Sequence, residues 1–293
     1  MERVSPGSGS QGDGPGPLLE VREISLRFGG LAALSQVTFE VYPNELFAII
    51  GPNGAGKTSI FNCLNGVYHP QSGSIMLDGT ELIGPRPTRI AQLGVARTFQ
   101  NLGLFTNLNV VDNLMLGRHH LMRTGFLAGA VWRGRARGEE ITHRGRVEEI
   151  IDLLELAPHR YSPVGILPYG VKKRIELGRA LAMDPRLLLL DEPVAGMNLE
   201  ETEDMARYIL EIKDHTDIAM ILVEHDMHMV MDIADRVMAL DFGVPIAIGP
   251  PDEVQHDDKV IEAYLGQPTP ELEALEVRVE EELEAELEGA REP

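Results

Sequence analysis

Residues Gly51–Thr58 constrain this chain more than any others because they spell a phosphate-binding loop. Their sequence, GPNGAGKT, has the form G-x-x-x-x-G-K-[ST]; it follows the apolar stretch Glu45–Ile50 and precedes a helical pattern that begins near Lys57. A glycine-rich turn in that position directs successive backbone N–H groups at one anion, and the helix N-terminus adds its own free N–H groups. The pattern predicts a strand–loop–helix unit that binds a nucleoside triphosphate.

Each residue type in the loop has a physical role. The glycines allow the backbone to curl, Lys57 is expected to reach the β- and γ-phosphates as a point charge, and the Thr58 hydroxyl is expected to ligate Mg²⁺. ATP and Mg²⁺ are therefore the expected cofactors. The predicted nucleotide-binding residues of the loop are Gly51, Pro52, Asn53, Gly54, Ala55, Gly56, Lys57, Thr58 and Ser59.

A second motif follows an apolar run. Leu187–Leu190 is typical of a strand buried on both faces of a parallel sheet, and it leads directly into Asp191 and Glu192. Ligands of open α/β sheets bind at the carboxyl ends of the strands, so both carboxylates are expected beside the phosphate-binding loop. Asp191 is the predicted Mg²⁺ ligand, and Glu192 is predicted to polarise an attacking water.

A third element lies between the first two. Residues Leu167–Leu181 read LPYGVKKRIELGRAL, which predicts an amphipathic helix beginning near Gly170. With this segment directly upstream of Leu187–Asp191, the chain resembles the ATP-binding subunits of ABC transporters, whose signature helix occupies that position. The resemblance covers roughly residues 18–266.

Further residues are matched to the family by this resemblance. Gln100 corresponds to the Q-loop, Ala195–Asn198 to the D-loop, His225 to the switch histidine and Phe28 to the aromatic residue that stacks on adenine. The implied fold is α/β: a P-loop NTPase core with a β-rich N-terminal subdomain and an inserted helical signature subdomain. The implied catalytic residues are Glu192, His225 and Gln100, the implied Mg²⁺ ligands are Thr58, Gln100 and Asp191, and the implied contacts with ATP on an opposite subunit are Tyr169 and Gly170.

Several passages narrow the resemblance to the longer of the two paired ATPases of branched-chain amino acid importers. A long insertion after Leu114 also fits that subunit. Importers of amides, urea or other small polar solutes share much of the pattern and stay open as alternatives. The resembling passages are Val95–Asn101, Asp191–Leu199, Val223–Met227 and Val260–Gly266.

Two departures from the family pattern affect the expected site. The signature serine and glutamine are Pro168 and Val171 here, and Pro168 has neither a hydroxyl nor an N–H to offer a γ-phosphate. Loss of one charge-assisted hydrogen bond removes about 1.5–3 kcal/mol, so either a weakened site or hydrolysis mainly at a partner's signature is consistent with the sequence. The D-loop aspartate is Asn198, which keeps an amide but removes a charge.

Composition and charge limit the cellular compartment of the chain and the classes of partner that it can bind. The net charge of −20 argues against nucleic-acid binding, and the single cysteine, Cys63, suits a reducing compartment as a packing residue. No apolar run approaches the about 18 residues of a membrane span, and no signal pattern opens the chain. The resemblance implies a cytoplasmic protein bound peripherally to the inner face of the membrane by two permease subunits. It also implies a second ATPase subunit (a heterodimer, with a homodimer as the alternative) and, indirectly, a solute-binding protein.

Three segments are expected. Residues 1–17 are rich in Ser, Gly and Pro and predict disorder, residues 18–266 form the ATPase domain with a helical subdomain at about 101–182, and residues 267–293 form an acidic tail. The tail is either a helix that docks on a partner or a frayed extension. The basic insertion 118–146 is either a contact with anionic lipid or permease loops, or a solvated surface hairpin.

Three other functions compete with import. A soluble ABC protein of DNA repair or translation usually carries two cassettes or a long coiled coil, whereas this chain has a single cassette. An export ATPase for lipid or polysaccharide would share every catalytic residue. A regulatory subunit with an inactive site is suggested by Pro168 alone and opposed by Lys57, Asp191, Glu192 and His225.

Overall fold

Two sheets organise the chain. The computed structural model describes residues 16–98, 103–121 and 135–265. In these ranges the strands are β1 (Leu19–Phe28), β2 (Leu31–Val41), β3 (Leu46–Ile50), β4 (Ser72–Leu77), β5 (Thr80–Glu81), β6 (Val95–Arg97), β7 (Leu187–Asp191), β8 (Ala219–Val223), β9 (Arg236–Asp241) and β10 (Val244–Gly249).

The larger sheet has the strand order β10-β9-β3-β8-β7-β6. Strands β9, β3, β8, β7 and β6 pair in parallel, and β10 joins the edge as an antiparallel strand. The carboxyl ends of the parallel strands therefore share one edge, which is where an α/β sheet binds its ligands.

Strand β7 is buried on both faces, as its four leucines predict. Leu188 and Leu190 belong to the hydrophobic cluster under the helical segments, whereas Leu187 and Leu189 face a second cluster with β1, β2 and the helix after the phosphate-binding loop. Full burial of a leucine side chain stabilises a fold by roughly 1.5–3 kcal/mol, so this strand is a major anchor of the sheet.

The smaller sheet is antiparallel, with the order β2-β1-β4-β5. Strands β4 and β5 pair through Leu77 and Thr80 around the turn Asp78–Gly79, an Asp-Gly dipeptide of the kind that favours a tight hairpin. Both residues of the turn have positive φ, the conformation in which an Asp-Gly pair costs least. The β-rich N-terminal part of the predicted fold is thus present.

The helices lie mainly between β6 and β7 and after β7. Those described are α1 (Lys57–Leu64), α2 (Pro87–Gln92), α3 (Val110–Gly117), α4 (Arg135–Leu153), α5 (Tyr169–Leu181), α6 (Leu199–His215), α7 (Met227–Ile233), α8 (Pro251–Gln255) and α9 (Asp258–Leu265).

Two helices begin earlier than the sequence pattern predicts. The sequence pattern predicts helix α6 from Thr202, but the helix begins at Leu199 because Asn198 and Glu201 form a capping box. The apolar residues Val147, Ile150 and Leu154 predict helix α4 from Arg146, but the helix begins at Arg135; its first turns are polar and contain glycines, which hide the helical period. The surface-hairpin interpretation is therefore wrong from Arg135 onward.

Helix α4 is fixed to its neighbours by charged contacts that no local pattern reveals. Arg118 donates from Nε to Nδ1 of the buried His143 at 2.8 Å and pairs with Asp184 at 2.8 Å. Arg146 also contacts Asp184, at 3.2 Å. Residues 122–134 of the basic insertion, both terminal segments 1–15 and 266–293, and Gln100 lie outside the described residues. Within the described part of the chain, no helix is long and apolar enough to cross a membrane.

Candidate active site

The predicted loop and two of the three predicted catalytic side chains, Glu192 and His225, meet at one cleft. The loop follows β3, Glu192 follows β7 and His225 follows β8, so three neighbouring parallel strands deliver their ends to the same edge. The cleft has a volume of about 180 Å³. It is lined by residues 53–59, Glu192 and His225.

Two loop glycines are required by close backbone approach. Gly51 has a φ of 147°, and a Cβ there would lie 2.1 Å from the carbonyl oxygen of Leu240. Gly56 has a φ of 108°, and its Cβ would lie 2.8 Å from the carbonyl oxygen of Ala33. Only glycine fits both positions, so the curled backbone predicted from the motif is the one that forms.

The lysine of the loop lies inside its curve. Nζ of Lys57 donates to the carbonyl oxygens of Gly51 at 2.6 Å and Pro52 at 3.0 Å, and the side chain is buried. Burial lowers the pKa of Lys57, and the nearby Glu192 opposes that shift. A poorly hydrated ammonium beside free helix N–H groups forms a strong site for a polyphosphate.

Asp191 has a partner that the sequence did not predict. Its Oδ2 is paired with Nη2 of Arg97 at 2.6 Å, and both side chains are almost fully buried. Nη1 of the same guanidinium donates to Oδ1 of Asn62 on α1 at 2.7 Å. Arg97 therefore ties the end of β6 to both the loop helix and the carboxylate at the end of β7.

Glu192 and His225 face each other across the cleft. Nε2 of His225 lies 3.0 Å from Oε1 of Glu192, with side-chain exposures of 45% and 17%. Glu192 has a φ of 48°, an uncommon conformation for a residue with a Cβ and one that often marks functional turns. A solvent-accessible carboxylate beside an imidazole is an arrangement that can position water and take its proton.

The signature residues lie on the other side of the turn that begins at Glu192. Helix α5 starts at Tyr169, with Pro168 as its N-cap residue, one position before the predicted start. The Tyr169 hydroxyl donates to the carbonyl oxygen of Ala195 at 3.1 Å, and a Cβ on Gly170 would lie 2.4 Å from Oε1 of Glu201. Neither Tyr169 nor Gly170 lines the described cleft of its own chain.

Phe28 ends β1 with its ring half exposed. The ring meets Tyr68 edge to face at a centroid distance of 5.0 Å, which leaves aromatic surface open to solvent. Phe28 pairs with Leu31 at the start of β2, and Ala33, two residues further on, packs directly against Gly56. The predicted adenine-stacking residue is thus close in the fold to the loop.

The side chains at the cleft that could bind a metal ion are few, and they offer oxygen donors. No cluster of three or more His, Cys, Asp or Glu side chains suited to a metal ion exists among the described residues. The Thr58 hydroxyl and the Asp191 carboxylate fit Mg²⁺, which takes one or two protein oxygens and completes its shell with phosphate and water. Gln100, the third predicted ligand, lies outside the described ranges.

Residues 34–195, more than half of the chain, match the family model described as the ABC transporter. The chain belongs to the ABC transporter ATPases. Residues 244–268 of this ABC ATPase also match the model described as the branched-chain amino acid ATP-binding cassette transporter. The predicted family and fold class are confirmed.

Named relatives cover the cassette from end to end. The ABC ATPase is 41% identical over 254 residues, 86% of its own length and 98% of the relative's, to the high-affinity branched-chain amino acid transport ATP-binding protein LivG of Escherichia coli K12. It is 40% identical over 255 residues to BraF of Pseudomonas aeruginosa, which bears the same description. A crystal structure of the ADP conformation of an ATP-binding cassette of an ABC transporter superposes with a TM-score of 0.74 at 26% identity, covering 86% of this chain and all of the other.

Three residues near the cleft escaped sequence analysis. Arg97 lies within a passage that resembles the family, but no spacing in the sequence indicates that it pairs with Asp191. Lys173 is buried on α5 and donates from Nζ to the carbonyl oxygen of Glu192 at 3.3 Å. Glu224, next to His225, is buried. An acidic residue directly after the wholly apolar strand β8 was the signal available in the sequence.

Proposed function

We propose that this ABC ATPase is the ATP-hydrolysing motor subunit of an importer for branched-chain or related amino acids. The observation that carries the proposal is the match of residues 244–268 to the branched-chain amino acid model, added to 41% identity over nearly all of LivG. A sulfate/thiosulfate import ATP-binding protein of Bradyrhizobium diazoefficiens is 32% identical over only 64% of its length. The importer for another solute is therefore the less supported alternative.

The proposed reaction is hydrolysis of ATP in the cleft. The loop amides and Lys57 hold the phosphates, while Glu192 orients a water and takes its proton as the water attacks the γ-phosphorus. His225, 3.0 Å from Glu192, is proposed to hold that carboxylate and to contact the γ-phosphate. Gln100 is proposed to join the shell of the metal and the water.

Mg²⁺ is proposed as the accompanying metal. The Thr58 hydroxyl and the Asp191 carboxylate would hold it, Gln100 being the third proposed ligand, and when bound it would neutralise charge on the phosphate oxygens. The 2.6 Å ion pair with Arg97 holds the Asp191 carboxylate, so a metal ion would compete with that guanidinium for it.

The second nucleotide contact is proposed to come from another ATPase subunit. Tyr169 and the N-terminus of α5 would face the ATP of that subunit, as the family resemblance implies. Pro168 supplies no hydroxyl to this contact, which favours a mixed pair in which the partner's signature is the stronger. A homodimer would place Pro168 at both sites.

A groove between the core and the helical segments is the proposed contact for a permease. It has a volume of about 540 Å³ and is mostly apolar, with Gln92 and Arg97 on one side and Phe105, Leu116 and Met183 on the other. Phe105 is 57% exposed and Leu116 is 38% exposed, so the groove leaves large apolar side chains uncovered. A permease bound here would hold the ATPase at the inner face of the cell membrane.

The proposal is tested by mild-detergent affinity purification of the full chain from native membranes, with identification of the co-purified proteins. Recovery of two permeases and a second ATPase, with an associated solute-binding protein specific for branched-chain amino acids, supports it. Recovery of permeases whose binding protein takes another solute moves the assignment to that solute. Recovery of soluble proteins alone, or of this chain alone, overturns the importer.

A further inference from the structure

Two turns carry Glu192 and His225, the pair to which the hydrolysis is assigned. The first runs from Glu192 to Met197 after β7, and the second runs from Glu224 to Asp226 after β8. The Glu192–His225 contact that joins them is partly solvent-exposed, with the imidazole 45% accessible. Exposed ion pairs contribute little to stability, so this contact is too weak to set the spacing of the two turns.

A buried carboxylate provides the stronger connection. Oε1 of Glu224 accepts a hydrogen bond from the backbone N–H of Val194 in the first turn at 2.9 Å. Oε2 accepts from the N–H of His225 in the second turn, also at 2.9 Å. The side chain of Glu224 is buried, with 3% of the residue exposed.

These bonds are of the strong kind. A carboxylate that accepts from backbone N–H groups forms charge-assisted hydrogen bonds, and a buried site without water makes each bond stronger electrostatically. Because one planar group spans both turns, the separation of Val194 and His225 is fixed within hydrogen-bond tolerance. Glu192 lies two residues before Val194, and its own N–H donates to the carbonyl oxygen of Val223 at 2.9 Å. The bridge therefore fixes the part of the first turn that follows Glu192.

We propose that Glu224 is a positioning residue for ATP hydrolysis, which holds the Glu192 turn and the His225 turn at the spacing that the reaction needs. Glu224 does not line the cleft; it acts through the two neighbouring turns. The inference rests on the proposed roles of Glu192 and His225, and the experiment below separates the failure of those roles from the failure of the bridge.

The experiment measures kcat, KM for ATP, nucleotide-binding stoichiometry and thermal unfolding for the full-length chain and Glu224→Gln. The amide has the carboxylate's shape but turns one acceptor into a donor, which then faces a backbone N–H. We expect kcat to fall about tenfold or more, because roughly one charge-assisted hydrogen bond is lost. KM for ATP and the nucleotide-binding stoichiometry should change less than about twofold. The matched control, Glu253→Gln, replaces an exposed glutamate on α8 and leaves all four quantities unchanged.

A double-mutant cycle distinguishes positioning from general support of the fold. If Glu224 acts by setting the spacing between the two turns, that spacing loses its effect once the imidazole is removed. Glu224→Gln added to His225→Ala then lowers kcat by less than about twofold beyond His225→Ala alone. The proposal is overturned if the two substitutions lower kcat independently, so that their effects multiply in the double mutant. It is also overturned if kcat and the nucleotide-binding stoichiometry fall in proportion. A normal kcat in His225→Ala alone would instead refute the role of His225.

A second variant covers the case in which Glu224→Gln does not fold. Glu224→Asp keeps the charge but is one methylene shorter, so it reaches one turn at a time. We expect a folded protein with reduced kcat and unchanged nucleotide stoichiometry. Wild-type kcat in Glu224→Asp shows that the bridge is dispensable and overturns the proposal.

Discussion

Replacing Arg97 with methionine tests how the carboxylate at the end of β7 is prepared for a metal. The substitution removes the 2.6 Å ion pair with Asp191 and the hydrogen bond to Asn62 while keeping much of the side-chain volume. The two side chains are 10% and 6% exposed, so Asp191 would be left buried without its cation. Breaking such a pair costs about 3–5 kcal/mol, which corresponds to a fall in melting temperature of roughly 6–20 °C.

The same substitution should change the response to Mg²⁺. In the wild type, the Arg97 guanidinium competes electrostatically with any cation for Asp191; in Arg97→Met that competition is gone. If Mg²⁺·ATP binds about tenfold more tightly to the variant, the ligand adds about 1.4 kcal/mol more stability than it adds to the wild type. The melting temperature should then rise about 3–6 °C further with Mg²⁺·ATP than it does for the wild type.

The assay is thermal unfolding with ATP, with and without Mg²⁺. Arg236→Met is the control, because Arg236 pairs with Glu45 at 3.0 Å at the amino end of β9, on the sheet edge opposite the cleft. Arg236→Met should lower the melting temperature while leaving unchanged the further rise in melting temperature that Mg²⁺ causes in the presence of ATP. An equal Mg²⁺ increment in Arg97→Met and the wild type would refute the reasoning that Asp191 lies at the metal.

Three further predictions concern the cleft and the groove. Glu192→Gln should keep ATP affinity but lower turnover about 10²–10⁴-fold through loss of the base, measured as phosphate release; near-normal turnover would remove Glu192 from that role. Phe28→Ala should weaken ATP binding by the about 1–3 kcal/mol of a base–aromatic stack, measured with a fluorescent nucleotide, whereas Leu31→Ala beside it should not; equal losses would count against stacking. Leu116→Asp should abolish co-purification of permeases without changing the ATPase rate of the isolated chain, and Tyr161→Asp, at an exposed site outside the groove, should leave both intact.

Elements specified by neighbouring residues were predictable from the sequence. The loop Gly51–Thr58 forms as expected because its glycines can adopt the positive φ that the curled backbone needs. Strand β7 is buried on both faces because four consecutive leucines leave it no polar face. The predicted start of α6 was a few residues too late, because the helix begins at its capping box and the apolar pattern begins after it. The start of helix α4 was missed by more residues, since its polar first half carries no apolar period.

Contacts between distant residues were not predictable in the same way. Arg97 and Asp191 are 94 positions apart, and Val194 and Glu224 are 30 apart, so no spacing rule connects either pair. Each pairing depends on which strands become neighbours in the sheet, and strand order is a property of the whole chain. The sequence therefore identified the residues at the cleft but not the buried charges that fix their positions.

The lone thiol of the chain offers a practical handle. Cys63 lies on α1, directly behind the loop, and it is 1% exposed. Burial raises the pKa of the Cys63 thiol to about 12, so the reactive thiolate is scarce in the folded protein. A thiol-reactive spectroscopic probe would consequently label a cysteine introduced on the surface of the native chain selectively, without replacement of Cys63. Slow labelling of Cys63 itself would report opening of the core beneath the nucleotide.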